Sequence, residues 1–253
     1  MSWGSRRRNT VLIILSVVVL VPTAFLAYFL LYEEPTCFDE KQNGDEIGVD
    51  CGGSCELLCK SSVIDPVVLW SRYFTVGPGV YNALAYVENP NPDAGIEEIG
   101  YTFRLYNSEN VLIQEKKGKV RIPPKAIFPI TENGLFTDKL RPTRVSFEFD
   151  EDFIWKKSLP QKPLIQVRDE TLENTDAEPR LRVEIENTSI LKIKDIDVVA
   201  ILYDDEDNAI RSSTTFIKTL DRGQRQEINF TWPAPFEVPI AKIEVIPLYE
   251  IDA

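Results

Sequence analysis

The residues best placed to do chemistry in this chain are four cysteines. Cys37, Cys51, Cys55 and Cys59 all lie within CFDEKQNGDEIGVDCGGSCELLC, separated by 13, 3 and 3 residues. An even number in one short stretch could close two disulfides in an oxidising compartment or, as thiolates, hold zinc. The spacing is not the paired CxxC…CxxC of zinc sites. The stretch is also too short to build a hydrophobic core, so covalent closure is the expectation, with three pairings open. The same stretch is rich in oxygen donors. Asp39, Asn43, Asp45 and Asp50 are candidate ligands for Ca²⁺, a hard cation that prefers carboxylate and carbonyl oxygens. Their spacing is not that of an EF-hand loop, and the competing reading is an acidic turn closed by its own Asx hydrogen bonds.

A second candidate lies near the C-terminus. In Phe230-Thr231-Trp232-Pro233-Ala234-Pro235-Phe236, aromatics alternate with prolines. Trp232 and Phe236 could form a partner-binding lip or cap one end of a sandwich. Trp70, Tyr73 and Phe74 could form a glycan platform, although strand packing explains them as well. Asp204 to Asp207 reads as a hairpin tip. Asn187-Thr188-Ser189 and Asn229-Phe230-Thr231 fit the N-glycosylation pattern. The chain contains no histidine, which removes the usual general base and the nucleophile–histidine triads. No carboxylate pair stands out for a hydrolase, so the expectation is a non-enzymatic protein with no catalytic residues.

These groups hang from an organised chain. Residues 11–32, VLIILSVVVLVPTAFLAYFLLY, hold no charged side chain and as a helix are long enough to cross a bilayer. A cleaved signal peptide is the alternative, but its apolar core is shorter and ends at a small-x-small site. This run ends in Tyr28, Phe29, Leu30, Leu31 and Tyr32. Arg6, Arg7 and Arg8 precede it, so the positive-inside rule puts residues 1–10 in the cytoplasm as a basic tail and residues 33–253 outside. The lipid bilayer is thus the partner of residues 11–32. Beyond the span stand 25 basic residues against 40 acidic ones, a net charge of −15. Such a field repels nucleic acid and anionic headgroups.

After a stalk over 33–61, the chain reads as β structure that repeats itself. Leu181, Val183 and Ile185 alternate with Arg182, Glu184 and Glu186; Tyr101, Phe103 and Leu105 alternate with Thr102 and Arg104. Ala83 to Asn89 aligns with Leu181 to Asn187 at an offset of 98 residues, and Phe103 to Asn107 with Ala200 to Asp204 at 97. The expectation is all-β: two tandem antiparallel immunoglobulin-like sandwiches, 62–157 and 158–253, of six or seven strands each. Prolines and charges over 156–163 suit the junction.

Residues 43–55, NGDEIGVDCGGSC, resemble a CGGxC-type motif of secreted and surface proteins, although three residues rather than two separate Cys55 from the following Cys59. In the second module, Ile185-Glu186-Asn187, Leu202-Tyr203-Asp204 and Leu220-Asp221-Arg222-Gly223 resemble the FxLYD-type domain. In the first, Val87-Glu88-Asn89-Pro90-Asn91, Tyr101 to Tyr106 and Ile122-Pro123-Pro124 resemble the related LEA-2 sandwich, with Pro124-Lys125 replacing the glycine turn. The resemblance implies non-catalytic sandwiches, often extracytoplasmic. The functional expectation is a single-pass cell-membrane protein presenting its domains to an unknown envelope or surface protein. The alternative is a calcium- or glycan-binding surface module.

Overall fold

The computed structural model describes residues 3–31, 36–138, 140–160 and 162–249. Tyr32, the start of the stalk at 33–35, Gln161 in the junction, residues 1–2 of the tail and 250–253 of the second module lie outside the described residues, as do the side chains of Arg6, Arg7 and Arg8. Helix α1 runs Trp3–Leu31 with Pro22 inside it. Its apolar portion, Thr10–Tyr28, has a mean hydropathy of 2.7, and no protein covers it. Its 19 residues span about 29 Å, close to the thickness of a hydrocarbon core. Ser16 Oγ donates to the Leu12 carbonyl and Thr23 Oγ1 to the carbonyls of Val19 and Leu20, so neither hydroxyl needs a partner from outside the helix.

The chain divides into two units, Met1–Cys55 and Glu56–Ala253. The expected stalk over 33–61 is therefore split. Residues from Glu56 belong with the β structure, because Leu58 N–H donates to the Trp155 carbonyl and Lys157 N–H to that of Glu56. Lys156 ties the same stretch to Glu56 and Glu97, and these carboxylates raise the pKa of its ammonium.

The second unit is all-β and antiparallel. β1 (Val67–Gly77), β2 (Val80–Asn89), β3 (Ala94–Tyr106), β4 (Leu112–Ile122), β5 (Ala126–Phe136), β6 (Arg144–Phe149) and β7 (Lys156–Lys157) make one sandwich. Its sheets are ordered β1-β2-β5 and β4-β3-β6, with β7 also pairing to β3. β8 (Ile165–Glu173), β9 (Arg180–Asn187), β10 (Ile193–Tyr203), β11 (Ala209–Leu220), β12 (Arg225–Thr231) and β13 (Lys242–Leu248) make the other, ordered β12-β9-β8 and β11-β10-β13. The connectivity is the same in both, and so is the register. Glu88 faces Ile127 in the first sandwich and Glu186 faces Arg225 in the second; Phe103 faces Lys116, and Ala200 faces Ser213. Pro129 sits in β5, an edge strand, where a missing N–H costs no central ladder bond.

Each sandwich is filled by the inward half of its alternating strands. Ala83, Ala85, Val87, Phe103, Leu105 and Trp155 belong to the first core. Leu181, Val183, Ile185, Val198, Ala200 and Leu202 belong to the second. A third buried cluster joins them: Phe74 and Leu84 from the first sandwich meet Val199, Ile201, Tyr203 and Ala209 from the second. β10 is therefore buried on both faces from Val198 to Tyr203, and the sheets β1-β2-β5 and β11-β10-β13 pack back to back.

Candidate functional site

The cysteine segment is a turn held by disulfides and carboxylates. Cys37 pairs with Cys55; Cys51 and Cys59 are disulfide-bonded too, and no thiol is free. The two glycines of CGGSC follow from close approach as well as conformation. Gly52 (φ +77°) lies where a Cβ would stand 2.7 Å from Ile47 Cβ, and Gly53 (φ +57°) where one would stand 2.1 Å from the Asp45 carbonyl oxygen. The carboxylates considered for calcium are engaged in this turn. The Asp50 carboxylate accepts from the N–H groups of Asp39 and Glu40. Asp39 accepts from Asn43 Nδ2 and Lys41 N–H, and the Asn43 bond is the main reason its pKa is lowered. Asp45 accepts from Ser54 Oγ, while Asn43 Oδ1 is buried without a partner. Among the described residues, one group of metal-type ligands converges: Cys37, Glu46 and Cys55. Its two sulfurs are joined to each other, which leaves no thiolate to bind zinc.

Of Trp232 and Phe236, candidates for a partner-binding lip or a sandwich cap, Trp232 belongs to the second core and Phe236 packs partly buried against it. Trp232 is 6% exposed, packs in the second core and meets Phe236 edge-on at 5.4 Å. The chain turns inward because Trp232 N–H bonds to the Pro179 carbonyl just past β12. The ring edges a surface cleft of about 350 Å³ together with Asn174, Pro179, Arg180 and Pro233. Trp70, Tyr73 and Phe74 also pack: Tyr73 against the first core, Phe74 in the joining cluster with Trp70 beside it. Asp204 to Asp207 form a hairpin tip whose Asp204 carboxylate accepts from the N–H groups of Glu206 and Asn208, and the Asn208 bond leads the lowering of its pKa. Asn187 is fully buried with Nδ2 bonded to two carbonyls, so it cannot carry a glycan in the folded chain; Asn229 is exposed.

The structure also brings together a group that sequence reasoning missed. At the seam between the sandwiches, Tyr86 Oη donates to Glu244 Oε1 at 2.7 Å and Tyr203 Oη to Glu244 Oε2 at 2.8 Å. One carboxylate thus receives a hydroxyl from each sandwich. Burial, then the bond to Glu244 and its charge, push both phenols well above the ordinary tyrosine range. Trp70 stacks on Tyr86 at 5.3 Å. Arg72 reaches across to the Ala209 carbonyl and to Asn208 Oδ1, both at 2.9 Å. One signal for this seam was legible: Val198-Val199-Ala200-Ile201-Leu202-Tyr203 has no polar residue on either face, the mark of a strand covered on both sides.

No family model matches the chain, and no curated protein does. Among solved structures it is similar to a red sea bream transglutaminase at 8% identity, covering 74% of this chain and 32% of that one, with a TM-score of 0.23. It is similar to a β-glucuronidase from glycoside hydrolase family 2 at 10% identity, covering 68% and 24%, with a TM-score of 0.24. It is also similar to the C-terminal globular domain of an oligosaccharyltransferase from Pyrococcus abyssi at 12% identity, covering 72% and 46%, with a TM-score of 0.22. The chain thus spans a quarter to under half of the length of these proteins.

Proposed function

We propose that this is a single-pass membrane protein whose apolar helix holds two joined sandwiches outside the membrane as a non-enzymatic platform for protein contact in the cell envelope. The observation that carries this reading is the order of parts along one chain. An uncharged helical span with basic residues just ahead of it in the same helix leads into a disulfide-bonded turn, and then into sandwiches locked together by a buried seam. Disulfides persist outside the cytoplasm, which agrees with the direction assigned from Arg6, Arg7 and Arg8. The sandwiches are two copies of one FxLYD/LEA-2-like module, a reading supported by their common register. The chain's polar groups at the seam are spent on holding the copies together, which suits a module that displays surface.

Protease added to intact cells expressing the full chain tests this. Loss of the region after residue 55 with survival of the helix is the expected result. A protected C-terminal region would overturn the orientation, and release of the whole chain into the medium would overturn the anchor. Site-specific photo-crosslinkers on the exposed faces of the sandwiches then test for contact. Discrete adducts with another envelope protein are expected, and none from any face would remove the platform role.

A further inference from the structure

The disulfide-bonded turn carries a property that neither its cysteines nor its acids explain. Three large apolar side chains of this short segment are mostly exposed: Phe38 is 82% exposed, Ile47, which lies over Gly52, 62% and Val49 54%. Phe38 is the most exposed large apolar side chain among the described residues, so its ring forgoes the stabilisation that burial would bring. The segment's acids are less of an obstacle to lipid than their number implies, because Asp39, Asp45 and Asp50 already accept hydrogen bonds within the turn.

Position along the chain names what covers these side chains. Phe38 follows the last helical residue, Leu31, by seven residues, a reach of at most about 25 Å even when fully extended. The segment is therefore confined beside the bilayer surface at high effective concentration, so even weak partitioning of each side chain is enough to populate the bound state. Aromatic and aliphatic side chains at headgroup depth are favourable. We infer that segment 36–55 is itself seated in the membrane–water interface, with Phe38 inserted at headgroup depth and Ile47 and Val49 adding apolar contact. The surface it recognises is that of a zwitterionic bilayer, since the segment has five acids against the single base Lys41. This inference rests on the membrane-anchor reading above.

The test uses the full chain reconstituted in phosphatidylcholine vesicles, as wild type and as Phe38→Trp. The emission of Trp3, Trp70, Trp155 and Trp232 is subtracted as background. Thiol alkylation confirms that the variant keeps its disulfides. Bromine placed high on the acyl chains should remove about half of the emission added by Phe38→Trp, and bromine at the chain ends much less. An added emission that is unquenched in vesicles that carry the protein overturns the interfacial seat alone. Failure of the protein to float with the vesicles overturns the anchor as well. A Phe38→Asp variant should still float, because the helix holds it, while hydrogen exchange over residues 36–49 rises above wild type. Unchanged exchange in that variant also counts against the inference.

Discussion

Asn89 and Asn187, ninety-eight positions apart, make the same set of hydrogen bonds at the same place in the two sandwiches. Asn89 Nδ2 donates to the carbonyls of Ala94 and Pro123, and Asn187 Nδ2 to those of Leu191 and Leu220. Each Oδ1 accepts from the backbone N–H two residues on, Asn91 in one case and Ser189 in the other. Both side chains are buried at the end of the second strand of their sandwich and tie it to the facing sheet. A buried amide that satisfies backbone groups from three directions is costly to replace, because its partners lose a hydrogen bond where water has little access.

Asn187→Ala should therefore destabilise the β unit by about 2–4 kcal/mol, and Asn89→Ala by a similar amount. Urea unfolding followed by tryptophan fluorescence measures both. A loss below about 1 kcal/mol in either would mean that water enters and replaces the amide.

Tyr86→Phe and Tyr203→Phe should each cost about 1 kcal/mol, since each removes one hydroxyl from the Glu244 carboxylate. The pH dependence has a definite sign. Both phenols have folded pKa values above the unfolded value of about 10, so the folded chain holds their protons more tightly. Their contribution is fully present below pH 10 or so and is lost as pH rises through the folded values. Unfolding free energy followed upward from pH 9 should fall less steeply in the double variant than in wild type.

Gly118 faces Tyr101 across β3 and β4, and a Cβ there would stand 2.4 Å from the ring's Cζ and Oη. Tyr101 is 7% exposed and bonded to Glu132, so it has little room to yield. Gly118→Ala should cost about 1–3 kcal/mol. Gly77→Ala, with open space around its Cβ and no left-handed φ, should stay within about 0.5 kcal/mol. Paired thermal melts compare them, and equal shifts would rule out the steric explanation.

Gly53→Ala should prevent the cysteine turn from closing, since both its left-handed φ and the Asp45 carbonyl oppose a side chain. Alkylation and mass measurement of the secreted or membrane-extracted chain should find free thiols or mixed pairings where the wild type has none. A fully oxidised, natively paired Gly53→Ala would show that the turn can form another way.

Much of this architecture was legible in the residues themselves. An uncharged run of helical length reads as a span, a signal sequence or a buried helix, and none of its described length is buried by protein. Strict alternation, as in Leu181 to Glu186, dictates strands with one apolar face, because successive side chains on a strand point to opposite sides. Four clustered cysteines ahead of β structure dictated covalent closure. What alternation cannot say is whether the outward face is wet. Leu84 and Tyr86 on β2, and Val199, Ile201 and Tyr203 on β10, are outward by parity and yet covered, because a second sheet happens to lie against them. The same holds for Trp232, whose neighbours in sequence are exposed while its ring meets residues from distant strands. The partner of Cys37 was likewise decided by which sulfurs the turn brings together, since loop-closure entropy differs little among the three pairings. Local periodicity follows from the geometry of one strand; burial of its second face, and the joining of two sandwiches into one packed unit, depend on contacts between segments far apart in the chain.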